Sequence, residues 1–302
     1  MVSSINTDNG PRGVPPANRS PVPTSFQACS KTIDLTRRTR LMGVVNVTPD
    51  SFADEGRHLD PERAVEYGLQ LIEAGADILD VGGESSRPGA EPVSAKIETT
   101  RVLPTIAGLR KHTNIPISVD TYKASVARYA IDAGADIIND ISSFRFDPDM
   151  PKIVAAAQAG IVLVHMRGSP ETMQQIDPSQ DILTDIEKSF RSALTTCQEH
   201  QISKNRIVLD PGIGFGKTVG DNLKIINYLG TLRSMGLPIL IGTSRKSFIG
   251  AILDNPVSQR LLGTAASVAI SILRGAQIVR VHDVAEMLDV VKVSDAIANE
   301  VM

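Results

Sequence analysis

Short apolar runs recur eight times along the chain, each followed by a longer stretch of helical period, and this recurrence constrains the fold more than any other feature. The runs are Leu41–Val45, Ile78–Val81, Ile117–Val119, Ile137–Ile138, Ile161–Val164, Ile207–Leu209, Ile239–Ile241 and Ile278–Val281. Strands apolar throughout are buried on both faces, as parallel strands are, and their alternation with helices reads as βαβ units. An internal echo supports this. EAGADILDV (73–81) resembles DAGADIINDI (132–141) and, more loosely, QAGIVLVHM (158–166) and RGAQIVRVHD (274–283). Gly75, Gly134, Gly160 and Gly275 fit the positive-φ position that ends a helix. Eight such units after residue 40 fill roughly 260 residues, close to the size of a (β/α)8 barrel. The expected fold class is therefore α/β, a single (β/α)8 TIM barrel. A doubly wound open sheet is the rival; it needs fewer strands and usually a dinucleotide loop after the first, which this sequence lacks.

The barrel domain is expected over 26–302, with 26–40 as a short capping segment or hairpin. Residues 1–25 carry Pro11, Pro15, Pro16, Pro21 and Pro23 among Ser, Asn and Gly, and read as a disordered leader. The leader lacks the continuous apolar stretch of a secretory signal and has too many prolines for an amphipathic transit helix. Lys+Arg is 31 against Asp+Glu 34, no basic block occurs, aromatics are 4% and Trp is absent, which argues against a nucleic-acid partner. No apolar run approaches the roughly 20 residues of a membrane span. Cys29 and Cys197 are far apart and make neither a metal cluster nor a disulfide framework, so a cytoplasmic location is expected.

In such barrels the active site lies at the C-terminal ends of the strands. The polar residues there are Asn46; Asp80 and the turn Gly82–Gly89; Asp120; Asn139 and Asp140; His165 and Arg167; Asp210 and 212–217; Ser244, Arg245 and Lys246; Arg280 and His282. Asp120, Asn139 and Asp210 are acceptor-rich and suit a flat ligand with several N–H groups, such as an amino-substituted pyrimidinone. Arg87, Arg280, His282 and Asn46 come from neighbouring strands of a closed barrel. They suit a polyanion, with a divalent ion on Asn46 helping to hold a diphosphate. Asp at a strand end is also a common turn former or cap. Asp140 reads as a cap, Asp80 as a residue orienting Arg87 or the Gly-Gly turn, and His165 as either packed or functional. Met166 and Phe215 could be core, or an apolar wall for a ring. PGIGFGKT (211–218) only imitates a phosphate loop, because Pro211 stands where a Walker loop needs Gly.

Several segments together resemble the dihydropteroate synthases. They are MGVVNVTPDSF (42–52), LDVGGESSRPGA (79–90), ISVDTYK (117–123), IINDIS (137–142), VLVHMRGSPETMQ (162–174), VLDPGIGFGKT (208–218), IGTSRKSFIG (241–250) and RVHDV (280–284), in the family's order. The resemblance implies condensation of 6-hydroxymethyl-7,8-dihydropterin diphosphate with p-aminobenzoate, giving dihydropteroate and pyrophosphate, on a (β/α)8 barrel. It implies that Asp120, Asn139, Asp210 and Lys246 hold the pterin, with Ile141, Met166 and Phe215 as walls and Arg280 against the ring. Arg280, His282, Asn46 and Arg87 would hold the diphosphate with Mg2+ on Asn46, and Ser86, Pro88, Phe215, Ser244 and Lys246 would border the aminobenzoate. Asp120, Asp210, Lys246, Arg280 and Arg87 are the expected catalytic set, and a homodimer through barrel helices, including the apolar stretch 260–275, is expected. The loops 47–58 and 83–92 resemble the family's mobile loops. The chain departs from the family at Ser86, where Thr is usual, and at Ala53 and Glu55, where Ser and Gly are commoner; Ser86 bears on aminobenzoate packing and sulfonamide sensitivity. The alternatives are a corrinoid-dependent methyltransferase barrel, which needs no diphosphate site, and an inactive pterin binder.

Overall fold

The computed structural model describes residues 23–48, 60–87, 89–173 and 175–300. Most of the expected leader, Ala53, Glu55 and Pro88 lie outside the described residues. The chain opens with an antiparallel hairpin, β1 (Ser25–Ala28) and β2 (Lys31–Asp34). The barrel strands follow as β3 (Arg40–Asn46), β4 (Ile78–Gly82), β5 (Ile117–Asp120), β6 (Ile137–Asp140), β7 (Gly160–Val164), β8 (Ile207–Asp210), β9 (Leu240–Ile241) and β10 (Ile278–Val281). Between and after them run α1 (Pro61–Glu73), α2 (Ala95–His112), α3 (Ala124–Asp132), α4 (Met150–Ala157), α5 (Ile182–Glu199), α6 (Val219–Asn227), α7 (Ser247–Leu253), α8 (Leu261–Leu273) and α9 (Val284–Asn299). Every apolar run in the sequence forms one of the eight parallel strands.

The strands pair in the order β8-β7-β6-β5-β4-β3-β10-β9. A parallel bridge between Leu209 and Ile239, with Leu209 N donating to Pro238 O at 2.9 Å, joins β8 to β9 and closes the ring. Helix starts follow local chemistry. Asp60 caps α1 ahead of Pro61, Ser94 accepts from Ile97 N at the start of α2, and Thr218 and Asp221 form a reciprocal capping box on α6.

Side-chain alternation divides the barrel into two cores. Leu41, Val45, Leu79, Val81, Ile117, Val119, Ile138, Ile161, Leu163, Leu209 and Val279 face the helices. Met42, Ile78, Ile137, Val162, Val208, Leu240 and Ile278 fill the interior together with Phe26, Ala28, Ile33 and Leu35 of the hairpin. The hairpin therefore plugs the N-terminal end of the barrel. Gly75 (φ 107°), Gly134 (φ 111°) and Gly275 (φ 104°) take the expected positive φ, but Gly160 does not. There Gln158 adopts the left-handed cap (φ 50°). Gly160 instead makes room for the plug, since a Cβ on it would sit 2.6 Å from Phe26 Cζ.

Candidate active site

The same parity that buries Ile78, Ile137, Val208 and Ile278 inside the barrel sends the residues two further along inward as well. These are Asp80, Asn139, Asp210 and Arg280, and Asp120 joins them from β5. Arg280 lies between two carboxylates. Its Nε donates to Asp80 Oδ2 at 2.6 Å and its Nη2 to Asp120 Oδ2 at 2.9 Å. Asn139 Nδ2 donates to the same Asp80 oxygen at 3.2 Å. Asp80 thus orients Arg280 and Asn139, correcting the expectation that it orients Arg87 or the Gly-Gly turn.

Lys246 completes the cluster. It caps α7, but its chain runs inward, so that Nζ donates to Ile213 O at 2.7 Å and lies 4.2 Å from the centre of the Phe215 ring. Asp210 accepts from Gly212 N at 2.7 Å. Gly212 is required there, because its φ is 69° and a Cβ would lie 2.0 Å from His165 O. Burial pushes the Asp120 carboxyl up to about 7; Arg280 opposes the shift and the Asp80 charge adds to it. Burial also raises Asp210, against the backbone hydrogen bond and Lys246, and draws Lys246 down to about 8 despite Asp210 and Asp120. Asp120 and Lys246 thus titrate close to neutrality. A proton-sharing, acceptor-rich cluster with one strongly held guanidinium is suited to binding a ring with several N–H groups.

The polar floor carries buried atoms without partners: Asp80 Oδ1, Asn139 Oδ1 and Ser118 Oγ. Ser118 stands opposite Asp80 in the strand register. Asn46 ends β3 next to this floor; a Cβ on Gly82 would be 3.6 Å from Asn46 Oδ1 and 3.5 Å from Asp120 Cβ. Ile141 and Ser86 line one crevice with Asp120, Thr121 and Ser85. Met166 is buried at the end of β7. Arg87 is exposed, and its backbone N donates to Ser85 Oγ at 3.4 Å.

Two of the expected site residues are hydrogen-bonded to each other. Ser244 is engaged with His282, accepting from its backbone N at 3.2 Å and meeting Nδ1 at 3.0 Å. A Ser244 hydroxyl that donates to Nδ1 leaves the imidazole proton on Nε2. Burial and the nearby Arg280 lower His282 to about 4, so it is neutral at pH 7. The remaining strand-end polar residues are structural. Asp140 caps its own turn through Ser142 N, Ser142 Oγ and Phe144 N. His165 is buried, which lowers it to about 2, and its Nδ1 has no partner among the described residues. Lys217, the lysine of the imitation phosphate loop, is buried and donates to the carbonyls of His165, Gly212 and Phe215. Arg245 pairs with Asp283.

The inward placement of Asp80, though not its partner, follows from parity alone, since Asp80 stands two residues after inward Ile78. A second buried group, formed by Glu84, Glu98, Tyr122 and Lys123, left no signal in the apolar periodicity. Its members meet only because the loop after β4 folds down onto α2.

Residues 42–282 match the family model of pterin binding enzymes. The dihydropteroate synthase of Bacillus subtilis is 46% identical over 263 residues, covering 87% of this chain and 90% of that one. The Synechocystis dihydropteroate synthase is 44% identical over 265 residues, covering 87% and 92%. Among solved structures, the Yersinia pestis dihydropteroate synthase with a sulfonamide drug complex superposes with a TM-score of 0.87 at 39% identity, over 91% of this chain and 99% of that one. The Xanthomonas albilineans dihydropteroate synthase with 4-aminobenzoic acid gives a TM-score of 0.85 at 39% identity, over 91% and 98%. The chain belongs to the pterin binding enzyme family, within its dihydropteroate synthases.

Proposed function

We propose that the chain is a transferase that condenses 6-hydroxymethyl-7,8-dihydropterin diphosphate with p-aminobenzoate, releasing pyrophosphate and forming dihydropteroate in folate synthesis. The observation that carries this reading is the meeting of Asp120, Asn139 and Asp210, from three strands, and Lys246, from the start of α7, around an arginine already bridged between carboxylates. A pterin edge presents N–H donors to Asp120 and Asp210 and both donor and acceptor groups to Asn139. Lys246, protonated below about 8, donates to a ring acceptor. Its existing donor bond to Ile213 O at 2.7 Å favours a hydrogen-bonding lysine over a Schiff base. Ile141, Met166 and Phe215 bound the ring.

The reacting carbon is attached to an electron-rich ring, so the C–O bond to the diphosphate can break before the C–N bond forms. The resulting cation is steadied by Asp120 and Asp210, and the departing anion by Arg280, by the His282 N–H and by Arg87 once its loop turns inward. The amine nitrogen of aminobenzoate then attacks the carbon and loses one proton. Charges fixed in place before the reaction supply the stabilisation without further reorganisation. Ser86, Pro88, Phe215 and Lys246 border the aminobenzoate, and Ser244 acts on that side through His282.

Mg2+ fits this donor set. It binds through one or two protein oxygens together with phosphate oxygens and water. Asn46 offers one such oxygen beside the polar floor, and no group of three or more His, Cys, Asp or Glu side chains able to cage a metal occurs among the described residues. When bound there, the ion would neutralise charge on the leaving diphosphate.

A homodimer through α8 is part of the same proposal. The buried face of α8 carries Thr264, Ser267 and Ser271, whereas Leu262 (81% exposed), Ile270 and Leu273 face outward beside Val293 and Ile297 of α9. An outward apolar face of this kind marks an association surface. No helix among the described residues is long and apolar enough to cross a membrane. The free thiols of Cys29 and Cys197 suit a reducing compartment, and we place the chain in the cytoplasm.

The test is pyrophosphate release from the pterin diphosphate with Mg2+, with and without p-aminobenzoate, alongside chromatography for dihydropteroate. Release coupled to product formation is expected. Tight pterin binding without release would replace this reading with a methyltransferase barrel or an inactive binder.

A further inference from the structure

A buried ionic group outside the pterin cluster has no part in the chemistry above. Lys123, just after β5, places its ammonium between two carboxylates, Glu84 of the loop after β4 and Glu98 in the first turn of α2. The Lys123 Nζ to Glu98 Oε2 distance is 2.5 Å, and the Glu98 side chain is 1% exposed. Tyr122 OH donates to Glu84 Oε1 at 2.6 Å, and the Lys123 ammonium also lies 4.6 Å from the Tyr122 ring centre. Burial pushes the Glu98 carboxyl up against the pull of Lys123. Three buried ionised groups are costly unless their geometry serves a purpose.

Placement supplies that purpose. Glu84 is followed directly by Ser85, Ser86 and Arg87, and Lys123 stands three residues after Asp120. The base of the loop is fixed independently. Arg101 Nη1 donates to Gly83 O at 2.8 Å, and a Cβ on Gly83 would lie 2.7 Å from Val102 Cγ1. Beyond Glu84 the described ties are backbone ones, Arg87 N to Ser85 Oγ at 3.4 Å and Gly89 N to Pro170 O at 3.0 Å. The crevice between Ser85, Ser86, Asp120 and Ile141 shows that the loop already lies against the pterin cluster.

We infer that Lys123 and Tyr122 are positioning residues: through Glu84 they hold Ser85 and Ser86 beside Asp120 and Ile141 at the barrel mouth, so that Ser86 meets the aminobenzoate, while Glu98 completes the charge balance. This rests on the synthase reading of the site. Because Asp120 and Lys123 sit on one short segment, the pterin ring and the aminobenzoate pocket are tied to the same strand end.

The test is steady-state kinetics on Lys123→Met, Tyr122→Phe and Lys123→Met/Glu98→Gln, with the affinity for unphosphorylated 6-hydroxymethyl-7,8-dihydropterin measured by calorimetry at about pH 7.5, between the Asp120 and Lys246 titrations. Misplacing a binding group by about 1 Å costs up to roughly a hundredfold, so Lys123→Met is expected to raise the KM for p-aminobenzoate by about tenfold or more. Dihydropterin affinity should stay within about twofold, because no group of the pterin cluster is removed. Tyr122→Phe, which loses one hydrogen bond to a carboxylate and keeps the ion pairs, should raise the same KM by about threefold or more. In the double variant the amide introduced by Glu98→Gln can donate to Glu84 and should recover much of the loss. An unchanged KM in folded Lys123→Met, or a loss of pterin affinity equal to the rise in aminobenzoate KM without rescue, would overturn the inference. If Lys123→Met does not fold, an unchanged KM in Tyr122→Phe overturns it. A wild-type enzyme without turnover would instead overturn the synthase reading, independently of these variants.

Discussion

Aspartates stand at both ends of the barrel, and the two sets are used in opposite ways. At the N-terminal end, Asp136 accepts from Lys31 Nζ at 2.7 Å, Arg110 Nη2 at 2.6 Å and Ile117 N at 3.0 Å. Asp77 accepts from Arg38 Nη2 at 2.7 Å, Arg40 Nη1 at 3.1 Å and Leu41 N at 2.8 Å. Each is held by two cations and a backbone amide, and the apolar hairpin seals that end. At the C-terminal end, Asp80 and Asp120 share one arginine, and Asp80 Oδ1 and Asn139 Oδ1 have no partner. The same residue type is saturated where it holds the fold and left short of donors where a ligand is to supply them. Unsatisfied buried acceptors cost stability, and that cost is tolerated where binding repays it.

The contrast can be broken first at Arg280. Arg280→Ala should lower synthase turnover by about 10²–10³-fold, the cost of losing one preorganised charge, read as pyrophosphate release per folded molecule. The mirror-image change is Asp136→Ala. It leaves Lys31 and Arg110 facing each other and should cost about 3–5 kcal/mol in urea unfolding, as losing one partner of a largely buried pair does, with kcat unchanged. Gly160→Ala should press on the Phe26 ring and cost about 1–3 kcal/mol, as overpacking does, again without a change in either KM; a KM shift would mean that the plug reaches the site. The smallest effect sharpens the difference in titration. Pterin capture needs Asp120 ionised and Lys246 protonated, so kcat/KM should fall as pH drops below about 7 and as it rises above about 8. Asp80→Asn removes a charge that raises Asp120 and leaves Arg280 to Asp120 alone. Both effects should move the acid limb to lower pH.

Much of this contrast was legible in the sequence. The strands were visible because a parallel strand buried on both faces must be apolar throughout, and their C-terminal residues then named Asp120, Asn139, Asp210, Lys246 and Arg280 as candidates. What periodicity could not supply was which partner each polar group takes. Asp80 goes to Arg280 rather than Arg87 because the closed ring brings β10 beside β3 and β4, two hundred residues away in the chain. His282 is neutral because of burial, a property of the folded site and not of the residue. Gly160 looked like a helix terminator because its repeat contains one, but the hairpin ring that needs its space lies far upstream. The Glu84–Lys123–Glu98 group depends on loop geometry, which carries no period.

The most direct measurement is calorimetric titration of unphosphorylated 6-hydroxymethyl-7,8-dihydropterin into the wild-type protein, Asp120→Asn and Asp136→Asn, at a temperature where all three are folded. The two ends of the barrel should separate cleanly: Asp120→Asn should lose binding by about a hundredfold or more, as a ligand N–H pair loses its charged acceptor, while Asp136→Asn should bind like the wild type. Equal affinities for Asp120→Asn and the wild type, or a loss confined to Asp136→Asn, would contradict the division of labour between the two ends.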